Sequence, residues 1–434
     1  MLKLVSATFV RQILAGLLQL AFITFLARMI GAEGMGVYSL VILLPIILSQ
    51  ILTLGLQSSN ILFIGTGKTS IAEVIFVNIF YIILVSIIFT LLGLFFLEYI
   101  MEYFFSSIDK LPVLISLLTL SPLLIIAIVP SIFQANQQFN TFNLITLIQP
   151  ILGLISLLII ELGESSINYA MIAYSLSSWL TAIIIVSVLI KGNKITFSVK
   201  ALQLYWSSKS YGLQSHLSNV ITLFNYKIAL IFLGFFSNAL AVGIYTVATQ
   251  MIEKLWLPSQ AASSILFPKL THAFNEDNNF DASQLTIFVA KIILVITSFF
   301  GIIFILLSHW IFVNLFGQDF SKSAFICLIL LPGIIAWAPS RVIAHDIAAR
   351  GYANINLHNS FVILFINLIS NLIFIYLFGL LGAAIATSIT YFMDLILRLY
   401  QFNKLVDFNA FTRLIPNYKD IFILIDFVKD FKRV

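Results

Sequence analysis

Charge is what this chain has least of. Only 9% of its 434 residues are Asp, Glu, Lys or Arg, against roughly 25% in soluble domains. So few polar groups cannot cover a water-facing surface, so the solvent of this fold is lipid. Cysteine is almost missing as well: a single Cys327 excludes an intramolecular disulfide, and no metal-ligand spacing occurs. No glycine-rich phosphate loop, nucleophile elbow or His/Glu metal cluster is found. The gaps between apolar runs are too short to house a catalytic domain, so no enzymatic activity and no cofactor are expected. The first residues, MLKLVSATFVRQ, have no small-residue cleavage site and run on as an apolar stretch, which reads as a retained first helix.

What remains is hydrophobic. Such residues make up 61% of the chain, and the mean hydropathy is +1.07. A membrane helix needs roughly 20 mostly apolar residues. Twelve such windows occur, near 7–30, 36–60, 72–97, 111–133, 141–161, 167–190, 210–235, 240–268, 284–307, 323–348, 355–378 and 380–402. Lys and Arg favour cytoplasmic loops. Lys3, Lys68, the linker KGNKITFSVK and the carboxyl tail then fall on one side, while the other side holds Arg28, Lys110 and Lys322 against Glu33, Glu98, Glu102, Asp109, Glu161, Glu164 and Asp319. Both termini are expected in the cytoplasm. The net charge of +5 reflects this bias, and no nucleic-acid partner is expected.

Two peptides occur twice. GVYSL at 36–40 returns as GIYTV at 243–247, a shift of 207 (243 less 36), and flanking residues match over Phe22–Leu40 and Ala229–Val247. AMIAYSLSSW at 170–179 returns as AAIATSITYF at 383–392, a shift of 213 (383 less 170). Each shift equals six helices. Six is even, so both halves enter the membrane in the same direction, a parallel repeat of the kind secondary transporters use. The expected organisation is a six-helix lobe over 1–190, a basic cytoplasmic linker over 191–209, a second six-helix lobe over 210–403 and an amphipathic interfacial tail over 404–434.

Ionisable groups inside spans cost roughly 2.5–3.5 kcal/mol each on insertion scales and mark cavities or partners. Span one carries Arg11, with Gln12, Ala15, Gly16 and Gln19 at helical spacing; snorkelling to the headgroups is the competing reading for Arg11 and the preferred one for Arg28. Span two carries Tyr38, Pro45, Ser49, Thr53 and Gln57 on one face. Span seven holds His216 and Lys227, and span eight holds Glu253 and Lys254, which point about 100° apart on a helix. A Lys227–Glu253 pair is within reach of adjacent spans. Span ten, LLPGIIAWAPSRVIAHDIAARG, contains Pro332 and Pro339, which predict a bent or broken helix. Arg341/His345, Asp346/Arg350 and Asp394/Arg398 are spaced i,i+4, which also fits plain intrahelical pairs. Asn367 and Asn371 in span eleven read as an amide pair that bonds neighbouring helices.

The pieces ARMIGAEGMGVYSL, VGIYTVATQMIEKLWLPSQAASSILFPKL and FGLLGAAIATSITYF, in this order and spacing, resemble the polysaccharide transporters. These are the Wzx-type flippases of O-antigen, teichoic-acid and other lipid-linked oligosaccharides. Their superfamily also holds multidrug and toxic-compound exporters and lipid II flippases. The resemblance implies an all-α polytopic membrane protein of about 12 transmembrane helices, in two six-helix lobes around a V-shaped central cavity. It implies a flippase that moves an undecaprenyl-diphosphate-linked oligosaccharide to the outer leaflet of the bacterial cytoplasmic membrane by alternating access. A polysaccharide polymerase is the implied downstream partner. An anionic diphosphate suits cations, which points to Arg11, Lys227, Lys254 and Arg341, with Gln19 and Gln57 toward the sugar. Ion coupling would fall to Glu253, Asp346 or Asp394.

Two features separate the alternatives. The tail has no room for the two extra spans of lipid II flippases. Span one has no acid before Glu33, whereas one subgroup of multidrug exporters carries a buried acid there. An ion-coupled small-molecule exporter of the same fold is the second reading. A membrane-embedded sugar transferase or polymerase is the third, and it needs a larger outer loop than the stretch from Glu98 to Lys110.

Overall fold

In lipid, backbone polar groups must be satisfied within each segment, and the α-helix does this locally. The computed structural model describes residues 2–106, 108–160, 166–193, 195–207, 209–263, 266, 270 and 279–417, and among them it contains helices and no strand. Ten of these helices are long and apolar enough to cross a membrane. One, Ile13–Gly65, has 53 residues. At 1.5 Å per residue that is roughly 80 Å, more than twice a hydrocarbon core of about 30 Å. It is not one rod: Gly31 takes φ 66° and ψ −176° inside α1 (Leu2–Leu52), between the two expected spans, and a second break follows α1. Large apolar side chains face outward, Phe95 and Leu306 at 79% exposure each, as a lipid solvent requires.

Packing divides the chain into two units, Met1–Thr246 with Leu315–Phe320, and Val247–Asn314 with Ser321–Val434. The first unit contains α1, α2 (Leu56–Gly65), α3 (Ile71–Phe95), α4 (Leu97–Phe104), α5 (Lys110–Leu118), α6 (Leu120–Ile128), α7 (Pro130–Ala135), α8 (Phe139–Ile160), α9 (Ile167–Lys191), α10 (Val199–Ser207), α11 (Lys209–Phe236) and most of α12 (Ala239–Ile252). Spans two and four are not single rods. Leu54 (φ 44°) and Gly55 (φ 77°) end α1 and reorient the chain into α2, which separates Gln57 from the polar face of Ser49 and Thr53. Pro130 opens α7 one residue after α6 closes.

The repeated peptides meet in this unit. A Cβ on Gly36 would lie 1.7 Å from the Ala239 carbonyl oxygen, and one on Gly243 would lie 1.8 Å from the Ala32 carbonyl oxygen. Ala32 and Ala239 are related by the same shift of 207 (239 less 32) as the glycines. The contact is therefore reciprocal, and only residues without a side chain allow it. Arg28, near the carboxyl end of span one, donates from Nε to the Leu315 carbonyl at 2.7 Å and so ties residues Leu315–Phe320 to the first unit.

The second unit contains the end of α12, a 3₁₀ turn Glu253–Trp256, α13 (Asn279–Ile311), α14 (Ser321–Ala349), α15 (Ala353–Phe378), α16 (Leu380–Asn403) and α17 (Ala410–Leu414). Its core gathers Leu270, Ala290, Val342, Ile347 and Phe402. α14 runs unbroken through Pro332 and Pro339. The amide of Gly333 instead bonds the Ser388 hydroxyl at 2.9 Å, where a glycine lets α14 and α16 approach. The carboxyl-terminal stretch 418–434, with most of the expected tail helix, lies outside the described residues, as do Glu161, Glu164, Lys194 and residues 264, 265, 267 and 268 of span eight.

Candidate functional site

One polar concavity of the first unit is built where its helices break. Reorientation at Gly55 brings the Gln57 side chain to the Ala127 carbonyl, to which Nε2 donates at 2.7 Å. Gln57 there lines a cavity of about 490 Å³ with Ser58, Gln134, Thr146, Gln149 and Thr181. A second cavity of about 180 Å³ is lined by Gln19, Phe22, Gln149, Pro150, Gly153, Tyr174 and Ser177. Gln149 belongs to both. The two glutamines expected toward the substrate, Gln19 and Gln57, thus line two cavities that share Gln149, together a candidate passage. Among the described residues, no Asp, Glu, Lys, Arg or His lines either cavity. Amides donate and accept, and hydroxyls do both, so the lining matches a hydroxyl-rich neutral group.

Helix α8 carries this passage and also meets Arg11. Arg11 Nη1 donates to Asn140 Oδ1 at 3.2 Å, near the amino-terminal end of α8. Nine residues further along the helix, about 14 Å at its ordinary rise, stands Gln149. Lys227 is half-buried on α11 and lines neither cavity. Thr53 and His216 contact each other at 3.3 Å, so this part of the expected span-two face packs against span seven.

In the second unit the cations gather around aromatic rings. Trp256 and Trp337 stack at 3.9 Å between centroids, with Tyr391 at 5.6 Å and 6.0 Å from them. Arg341 places its guanidinium 5.0 Å from the Trp337 ring, a cation–π geometry. Glu253 and Lys254 sit half-buried on the 3₁₀ turn that ends at Trp256. A 3₁₀ turn separates neighbouring side chains by about 120°.

The other two acids are enclosed. Asp346 accepts from Arg350 Nε at 2.5 Å and from the Thr286 hydroxyl at 2.6 Å, and Arg350 also reaches Ser283. Asp394 accepts from Arg398 Nε at 3.0 Å and from the Ser340 hydroxyl, while Arg398 donates to Asn356 at 2.6 Å. Both i,i+4 pairs therefore form and tie helices together. Asn371 donates to Asn367 Oδ1 at 2.6 Å, and Thr390 joins them from α16 at 3.3 Å.

Sequence reasoning passed over Gln134, Gln149 and the Trp256–Trp337–Tyr391 cluster. Gln149 had a signal, an amide beside a helix-breaking proline within an apolar run. The aromatic cluster had none, because its three members come from three distant segments.

A family model described as polysaccharide biosynthesis protein matches residues 1–274. The chain is 27% identical over 176 residues to the probable low-salt glycan biosynthesis flippase Agl15 of Haloferax volcanii, a match that covers 40% of this chain and spans only 37% of that relative. It is 24% identical over 300 residues to the capsular polysaccharide biosynthesis protein CapF of Staphylococcus aureus, covering 63% of this chain and 70% of the relative. Among solved structures, the inward closed lipid II flippase MurJ matches with a TM-score of 0.74 and 19% identity over 98% of this chain and 99% of its own. An inward-facing multidrug resistance MATE family transporter of the MOP superfamily gives 0.74 and 15% over 90% and 95%. At these identities the structural likeness is one of fold, an all-α multi-pass membrane protein of two helical lobes.

Proposed function

The chain belongs to the polysaccharide biosynthesis protein family, and from that premise we propose that it flips an undecaprenyl-diphosphate-linked oligosaccharide from the inner to the outer leaflet of the cytoplasmic membrane. Both termini lie in the cytoplasm in this reading, and the protein transports without catalysing a covalent step. The observation that carries it is the order of groups along α8. A guanidinium, Arg11, stands at one end, and an amide-lined chamber without charge follows about 14 Å on. A diphosphate-linked sugar presents the same order, two anionic phosphates and then neutral hydroxyls. The names of two relatives, a glycan biosynthesis flippase and a capsular polysaccharide biosynthesis protein, support it. Lys227, Lys254 and Arg341 are further diphosphate contacts along an alternating-access cycle. Coupling to an ion gradient would fall to Glu253, Asp346 or Asp394, the last two of which must first part from an arginine.

The test is charge removal in the native host, with Arg11→Ala, Lys227→Ala, Lys254→Ala and Arg341→Ala scored for surface glycan, lipid-linked intermediate and protein level. Loss of surface glycan with intracellular accumulation of the intermediate, in one or more normally inserted variants, is the expected result. Full glycan in all four would remove these cations from the mechanism and put the small-molecule exporter first.

A further inference from the structure

Resting on the flippase reading, we propose that the passage in the first unit is a selectivity site for uncharged sugar units, with Gln149 as its specificity-determining residue. Three observations converge on that position. Among the described residues, Gln149 is the one common to both cavities, so a group that extends from one into the other passes it. Among the described residues no protein group is hydrogen-bonded to its amide, whereas Gln57 is already oriented by the Ala127 carbonyl. Finally, prolines interrupt the helical ladder on both walls. Pro150 supplies no amide for the Thr146 carbonyl, and Pro130 supplies none for Ile126. Thr146 and Ile126 both line the larger cavity, so backbone acceptors join the side-chain amides there.

The lining decides what such a site rejects. A sugar hydroxyl exchanges water for amide and carbonyl partners at little net change. A uronic-acid carboxylate would enter a chamber whose described lining holds no cation to pair with it, and an unpaired ion in such surroundings is strongly disfavoured. The passage therefore admits neutral hexose units and excludes hexuronate ones. A volume of about 490 Å³ lies inside the ordinary range of about 300–1,000 Å³ for small-molecule sites.

The experiment uses the full chain in lipid nanodiscs, with methyl glucoside and methyl glucuronide as probes, read by saturation-transfer NMR and competition. The glucoside is expected to bind at least about tenfold tighter than the glucuronide. Gln149→Leu and, separately, Gln57→Leu should each weaken the glucoside several-fold, and Gln149→Arg should shift the preference toward the glucuronide. The substitution Arg413→Gln, far along the chain and exposed, should change nothing. Equal binding of the two sugars to the wild-type protein would overturn the proposal, as would wild-type glucoside binding in both leucine variants. If Gln149→Leu does not fold, the wild-type comparison and Gln57→Leu decide the matter. Translocation of a lipid-linked oligosaccharide in proteoliposomes separates the two readings. Transport without sugar preference sinks only this proposal, and sugar preference without transport sinks only the flippase.

Discussion

Single residues matter here where nothing can be added. Gly36 and Gly243 face each other's helices so closely that a methyl group at either would overlap a backbone carbonyl. Gly36→Ala and Gly243→Ala should each cost at least about 1–3 kcal/mol, the usual range for overpacking. The loss would appear as a lower thermal midpoint in detergent, and Gly16→Ala, with open space around it, should be near neutral. A small effect at Gly36 would mean that the crossing is looser than it stands. The Asp394–Arg398 pair offers the opposite case, a charge that cannot be removed alone. Both side chains are buried at 6% exposure. Asp394→Asn should cost about 3–5 kcal/mol because Arg398 stays behind uncompensated, whereas Asp394→Leu with Arg398→Met should recover much of that. If Asp394→Asn keeps its thermal midpoint and loses only transport, the acid is a coupling group after all.

At the scale of elements, the linker is more than a tether. Its helix α10 lays Tyr205 against Phe63, 4.9 Å between centroids and edge-on. The Tyr205 hydroxyl donates to Asn60 Oδ1 at 2.6 Å, and Asn60 in turn donates to Ser131, which lines the larger chamber. Burial pushes the Tyr205 pKa up, against a smaller opposite pull from its contact with Asn78. A raised pKa stabilises the fold fully below the unfolded value and loses that stability as pH rises through the folded one. Wild-type protein should therefore soften above pH of about 10 by a step that Tyr205→Phe lacks. At neutral pH, Tyr205→Phe should cost about 0.5–1.5 kcal/mol for the lost hydrogen bond, because Asn60 Oδ1 keeps its bond from Asn78 Nδ2. A stability–pH profile of the two proteins checks both statements. Elements were legible where periodicity and hydropathy speak, which is nearly everywhere. Their breaks were legible only in part. Pro130 offered a signal that the reading of 111–133 as one span passed over, while the left-handed turn at Leu54–Gly55 and the 3₁₀ turn at Glu253–Trp256 follow from tertiary packing that no local pattern encodes. The passage was half legible for the same reason: Gln19 and Gln57 stood out as amides in apolar runs, but their meeting at Gln149 depends on the Gly55 reorientation.

For the molecule as a whole, the sequence repeat and the packing draw different lines. The repeat places its boundary in the basic linker, whereas packing divides the chain at Thr246, inside α12. The reciprocal glycine contact accounts for the difference, because it attaches the first turns of α12 to the helix they duplicate. A chain cut between Gly192 and Asn193, ahead of the bond from the Thr196 amide to the Ala72 carbonyl, leaves every helix whole. Its two fragments, expressed together, should copurify and restore surface glycan. Cutting between Thr246 and Val247 severs a 14-residue helix and removes the continuity through which its buried residues are held, so that pair should be degraded or inactive. Adding Gly36→Ala to the first pair tests the cause. Copurification should drop sharply if the glycine crossing joins the fragments, and should be unchanged if the lipid-facing helices associate without it.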